Sequence, residues 1–154
     1  MTSIRLLRSF ALGVAVALCS AAAQASLTPQ EQANKDVVLS FYEAAINRKD
    51  VEAAVAYIGP KYIQHNPRAA DGVEGLKGFI GGYLKQKNPN LKATVKRVIV
   101  QDDLVVLHVH SLPEPGELGT AIMDIFRVEN GKIVEHWDVM QPVPDKMAHG
   151  NGMF

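Results

Sequence analysis

"GKIVEHWDVMQ", residues 131 to 141, is the stretch that decides the fold. A half-buried strand alternates apolar and polar residues. Here Val134, His136, Asp138 and Met140 share one face, and Ile133, Glu135, Trp137 and Val139 share the other. Both faces mix apolar and titratable side chains. An imidazole and a carboxylate between Val134 and Met140 mark one of two things. The face is either a solvated outer surface or a pocket wall, where a few polar groups converge among apolar ones.

The segment before it, "TAIMDIFRV" (120–128), also reads as a strand, and Glu129-Asn130-Gly131 joins the two. A loop of Asn130-Gly131 alone would set Asp124 opposite Trp137. A three-residue loop, with a type I turn and Gly131 left-handed, sets Asp124 opposite His136, Ile122 opposite Asp138 and Phe126 opposite Val134. The longer loop also brings Arg127 diagonal to Glu135 on the other face, a plausible ion pair. We therefore expect that register and a positive φ at Gly131. One face then carries Ile122, Asp124, Phe126, Val134, His136, Asp138 and Met140. Phe126, Ile122 and Met140 are much apolar area to leave in water, which favours the pocket.

Two further strands precede these, "LKATVKRVIV" (91–100) and "LVVLHVHSL" (104–112). Upstream the period becomes helical. Thr28-Pro29-Gln30-Glu31 opens a first helix with an N-cap, a proline at the first position and a capping box; its apolar stripe is Ala33, Val37, Phe41, Ala44 and Ala45. Asp50 caps a second helix, Val51 to Ile58, which Gly59-Pro60 ends. "KYIQHNP" (61–67) is a short extended piece, and a glycine-weakened third helix covers Val73 to Gln86. The order is α-α-β-α-β-β-β-β, an α+β class in which a curled antiparallel sheet buries the helix stripes.

The first 25 residues read as a secretory leader. Arg5 and Arg8 make a basic start, Phe10 to Leu18 an apolar run too short for a confident span, and Ala23-Gln24-Ala25 a cleavage site. Cleavage would leave one domain, 26–154, in the periplasm or outside the cell. It would also remove Cys19, the only cysteine, so the domain would fold without disulfides. Loss of Arg5 and Arg8 from a chain with 16 basic and 16 acidic residues leaves a net charge of −2. That balance gives no footprint for nucleic acid, and no membrane attachment is expected after cleavage.

Other polar residues stand out. "Gln64-His65-Asn66-Pro67" ends the extended segment with three hydrogen-bonding side chains, where function often lies, although Asn-Pro is also an ordinary turn opener. His108 and His110 share a face with Leu104, Val106 and Leu112. The opposite face, Val105, Leu107 and Val109, is wholly apolar. Whether the two histidines meet pocket or solvent is open at this stage. His149 sits in a glycine-rich tail and carries no signal.

"YIQHNP", "DIFRVENGKIVEHWDVMQPVP" and the terminal "NGMF" resemble the SnoaL-like family of the nuclear-transport-factor-2-like superfamily, over about Glu31 to Phe154. The resemblance implies a cone-shaped fold, a strongly bent sheet wrapped on helices and enclosing a pocket. It implies a wall in which Asp138 is the catalytic acid/base and His136 its partner. By the resemblance, substrate contacts come from His65, Asn66, Asp124 and Ile122; the strand face read above adds Phe126, Val134 and Met140 as lining. The family's cyclases close rings by aldol condensation without metal or cofactor, so none is expected here; the resemblance also implies a homodimer. This chain departs from the cyclases at Ile122, where they carry a polar side chain, and in its leader, since polyketide assembly is cytoplasmic.

Aldol chemistry needs proton removal beside a carbonyl and proton return to an alkoxide. A carboxylate in a dry wall is a stronger base than in water, because burial disfavours its charge. Asp138 has the position for it, His136 can share the proton, and Asp124 can orient the ring. A non-catalytic small-ligand protein would use the same wall. A metal site of His108, His110, His136 and Asp138 is a third reading by residue type, but nothing in the spacing brings the two pairs together.

Overall fold

Thr28 starts the first helix as its sequence requires. The structure, a computed structural model, describes residues 26–154, so the expected leader lies outside the described residues. The Glu31 amide donates to Thr28 Oγ1 at 3.2 Å, and the Thr28 amide donates to the Glu31 carboxylate at 2.8 Å, closing the capping box. Helix α1 (Pro29–Tyr42) runs into a π-helical turn, Glu43–Asn47. Phe41, Ala44 and Ala45 of the expected stripe are buried, but in the first turns Asn34 and Val38 face inward instead of Val37 and the exposed Ala33. Asn34 belongs inside because its amide donates to the Asp102 carbonyl at 3.0 Å.

Helix α2 is only Val51–Val55, capped by Asp50, whose carboxylate accepts from the Ala53 amide at 3.0 Å. The expected end at Ile58 is too late, because Ile58 already pairs with Ile133 in the sheet. Gly59-Pro60 therefore lies inside strand β1 (Ile58–Gln64). Helix α3 (Gly72–Gly78) continues as a π-helical segment, Phe79–Lys87. Strands β2 (Lys92–Gln101), β3 (Leu104–Leu112), β4 (Thr120–Glu129) and β5 (Lys132–Pro142) follow. No helix among the described residues is long and apolar enough to cross a membrane.

One five-stranded sheet has the order β1-β5-β4-β3-β2. The meander β2 to β5 is antiparallel, as expected, but β1 joins β5 in parallel. The curved sheet on three helices is the nuclear-transport-factor-2-like fold. Val105, Leu107 and Val109 pack into the core with Val38, Phe41, Ile80, Leu84, Phe126 and Ile133. That leaves His108 and His110 on the outer face, stacked against Phe154 with ring centroids 5.4 Å and 4.2 Å away.

The β4–β5 register differs from the expected one. The loop is two residues, Asn130 and Gly131, both at positive φ (50° and 70°), which is the mirror-image turn that suits strand twist. Glu129 and Val128 pair with Lys132 and Ile133, and then the register slips so that Arg127 pairs with Glu135. Val134 is the extra residue of a β-bulge. Beyond it Phe126 faces His136, Asp124 faces Asp138 and Ile122 faces Met140. Asp124 opposite His136 was thus incorrect. Gly59 accommodates the bulge, since a Cβ there would lie 2.9 Å from Val134 Cγ1.

Candidate functional site

The bulge and the parallel strand together build the site. After the slip, Ile133 and His136 both point inward although they are three residues apart, and both are buried. Asp138 follows two residues later on the same face. On the other side of β5, Gln64 of β1 is in register with His136, and the His65 amide donates to the His136 carbonyl at 2.9 Å. Parallel partners point to the same face, so Gln64 and Asn66 turn inward and His65 turns outward.

Inside, one hydrogen-bonded chain runs from helix α1 to the loop after β1. The Tyr42 hydroxyl donates to Asp124 Oδ2 at 3.0 Å. Asp124 Oδ1 lies 3.0 Å from His136 Nε2, and His136 Nδ1 lies 3.0 Å from Gln64 Oε1. Gln64 Nε2 donates to the Tyr62 hydroxyl at 3.1 Å. Asn66 Nδ2 donates to Asp138 Oδ2 at 2.6 Å, and Asn66 Oδ1 accepts from the Arg68 amide at 2.7 Å. Phe126 stacks on His136, with centroids 4.6 Å apart.

Asp124 and His136 are buried, and Asp138 is half-buried. Burial, and then the Asp124 carboxylate, pushes the Tyr42 hydroxyl well above its ordinary value. Burial, and then Asp124 and Asp138, pushes Tyr62 up as well. Both phenols therefore stay protonated in the neutral range. Asp124 has both oxygens engaged, whereas Asp138 makes a single side-chain hydrogen bond among the described residues. The cluster contains one carboxylate that is held and one with a free oxygen.

Of the residues expected here, Asn66, Asp124, His136, Asp138 and Phe126 come together. His65 does not: it stacks on Trp137 at 4.8 Å on the outer face and pairs with Glu135 at 2.8 Å. Val134 is displaced by the bulge, with Ile133 taking its place in the core. Ile122 and Met140 pair at the rim, where Met140 is exposed. Neither of two depressions among the described residues encloses the whole set. One of about 500 Å³ includes Asn34, Asp102 and Asp103 in its lining, and one of about 330 Å³ includes His108, Ile122, Met123, Met140 and Met153. Neither includes Asp124, His136 or Asp138 in its lining; Tyr42 is bonded to Asp124 and Phe126 is stacked on His136.

Tyr42 and Tyr62 were missed, and Gln64, noted beside His65 and Asn66, was not placed in the site. The period-two face of Asn66 carries both Gln64 and Tyr62 and could have pointed to them. Asp124, His136 and Asp138 each offer a ligand atom within 4.8 Å of the others, a spacing compatible with a metal ion. His108 and His110 cannot join such a set from the outer face.

The family model for SnoaL-like polyketide cyclases matches residues 36–147. No curated protein matches the chain. Among solved structures, IdmH of Streptomyces antibioticus, assigned as a polyketide cyclase, is 25% identical over 70% of this chain and 91% of its own, with a TM-score of 0.59. A protein assigned as a SnoaL-like polyketide cyclase from Jannaschia sp. CCS1 is 20% identical over 75% of this chain and 90% of its own, with a TM-score of 0.63. TsrD of Streptomyces laurentii is 23% identical over 75% and 91%, with a TM-score of 0.59. The chain belongs to the SnoaL-like polyketide cyclase family.

Proposed function

We propose that the protein binds a small carbonyl compound and moves protons on it by acid–base catalysis, without a cofactor, in an aldol condensation or isomerisation. The observation that carries this reading is the unequal pair of carboxylates. Asp124 is locked between Tyr42 and His136, while Asp138, directly opposite, keeps an oxygen free and a half-exposed position. Asp138 takes the proton beside the carbonyl. Asn66 holds it in place, and the Asp124–His136 pair takes part in returning the proton. Asp138→Asn keeps the shape and removes the acceptor. Turnover of an activated ketone should fall by ~10²–10⁴-fold with ligand binding little changed. Equal loss of binding and turnover would support a non-catalytic small-ligand protein instead.

We also propose export, on the basic start, apolar run and Ala23-Gln24-Ala25 of the leader. Sequencing of secreted material should begin at Ser26; intact Met1 on a cytosolic protein contradicts it. A homodimer through the sheet's outer face is supported by the resemblance and by Val139 and Ile99, 69% and 59% exposed there. Sedimentation at a monomer's mass would overturn it.

A further inference from the structure

Gln64 sits between three groups, and each bond it makes restricts the next. Its Oε1 accepts the Asn66 amide hydrogen at 2.9 Å, and its Nε2 donates to the Tyr62 hydroxyl at 3.1 Å. A backbone N–H can only donate, so the two ends of this amide cannot be exchanged. The atom facing His136 Nδ1 at 3.0 Å is therefore an acceptor, and Nδ1 must carry a hydrogen. The other ring nitrogen, Nε2, then faces Asp124 Oδ1 at 3.0 Å, and that contact needs one more hydrogen on the line between them. Asp124 draws a second hydrogen from Tyr42, whose phenol stays protonated.

We propose that Gln64 is a positioning residue that fixes the Nδ1–H form of His136 and so keeps one proton on the Nε2···Oδ1 line with Asp124. That proton offsets the charge of Asp124. Asp138, its cross-strand partner, then faces a neutralised pair rather than a bare second carboxylate. The groups facing the ring are Asp124 and Phe126 from β4, Asp138 along β5, Tyr42 from α1, and Tyr62 and Gln64 from β1. None of these is a lysine or arginine that could do the same work. Asn66 serves both halves, since its amide locks Gln64 and its side chain holds Asp138.

The kinetic part of the proposal rests on the acid–base reading, and the hydrogen placement does not. The test is ¹⁵N NMR of the His136 ring in the full chain, alongside Gln64→Leu and Gln64→Glu. The wild type should show Nδ1 protonated. Gln64→Leu should lose that preference, and Gln64→Glu, which still offers an acceptor, should restore it. A wild-type ring with bare Nδ1, or a Gln64→Leu ring that keeps Nδ1–H, overturns the proposal. Where turnover is measurable, Gln64→Leu should lower kcat by part of the ~10²–10⁴-fold of the acid–base group, with KM little changed. Gln64→Glu should recover it. Loss of KM alone, or no recovery with a folded Gln64→Glu protein, also overturns the proposal. A wild type inert toward carbonyl compounds but with the expected ring signals would fail the acid–base reading only.

Discussion

Asp124 and Asp138 are the same residue type on facing positions of one hairpin, and their surroundings give them different work. Asp124 is buried with both oxygens bonded, so its charge is spread over Tyr42 and His136. Tyr42→Phe would leave Asp124 Oδ2 buried without its donor. We expect a loss of about 1–3 kcal/mol in denaturant unfolding. An unchanged midpoint would mean that water replaces the phenol. The grouping of Asp124, His136 and Asp138 was legible from strand alternation, because residues two apart share a face. His65 was placed inward against that same alternation. It lies between Gln64 and Asn66 at the end of β1 and turns the other way, to Trp137 and Glu135. Tyr42 had no such signal. It lies beside Phe41 on a helix, and only the packing of α1 on β4 brings its hydroxyl to Asp124.

At the scale of elements, the β4–β5 hairpin carries the site, and its bulge sets the aim of each side chain. The expected three-residue loop and the observed two-residue loop with a bulge differ by two positions along β5. An even slip keeps every residue beyond the bulge on its face. That is why the face was right although the partners were wrong. A bulge inserts one residue without a distinctive sequence, so Val134 gave no warning. The positive φ at Gly131 was legible and holds at 70°. A Cβ there would touch nothing within 4 Å, so Gly131→Val isolates backbone strain. It should cost about 1–3 kcal/mol in thermal or denaturant unfolding. A neutral result would show that the turn readily adopts another form.

For the whole molecule, the outer face ties the parallel strand to the meander. Glu135 accepts from His65 on one side and from Arg127 at 3.0 Å on the other, and Arg127 also pairs with Asp103. The His65 hydrogen bond, and then Arg127, holds the Glu135 carboxyl below its ordinary 4.5. A carboxylate with a depressed folded value stabilises above its unfolded value, and that stability is lost as pH falls below 4.5. Glu135→Gln should therefore destabilise the protein at pH 7 and flatten its loss of stability on acidification. Equal acid slopes in both proteins would show that the outer network does not report on folding. The α+β order and the antiparallel meander were readable because periodicity and turn residues agree there. The parallel partner of β5 was not, because a β-strand's own sequence does not name its neighbour across a long connection.

The central claim is that Asp138 is a base facing a bound carbonyl compound. Its most direct test is hydrogen–deuterium exchange at the carbon beside the carbonyl of a simple 1,3-diketone in D₂O, followed by NMR with catalytic protein. Exchange needs only proton removal and return, so it does not depend on knowing the natural substrate. The wild type should accelerate exchange, and Asp138→Asn should reduce the acceleration by ~10²–10⁴-fold while Tyr42→Phe retains most of it. Acceleration that survives in Asp138→Asn would show that Asp138 is not the base.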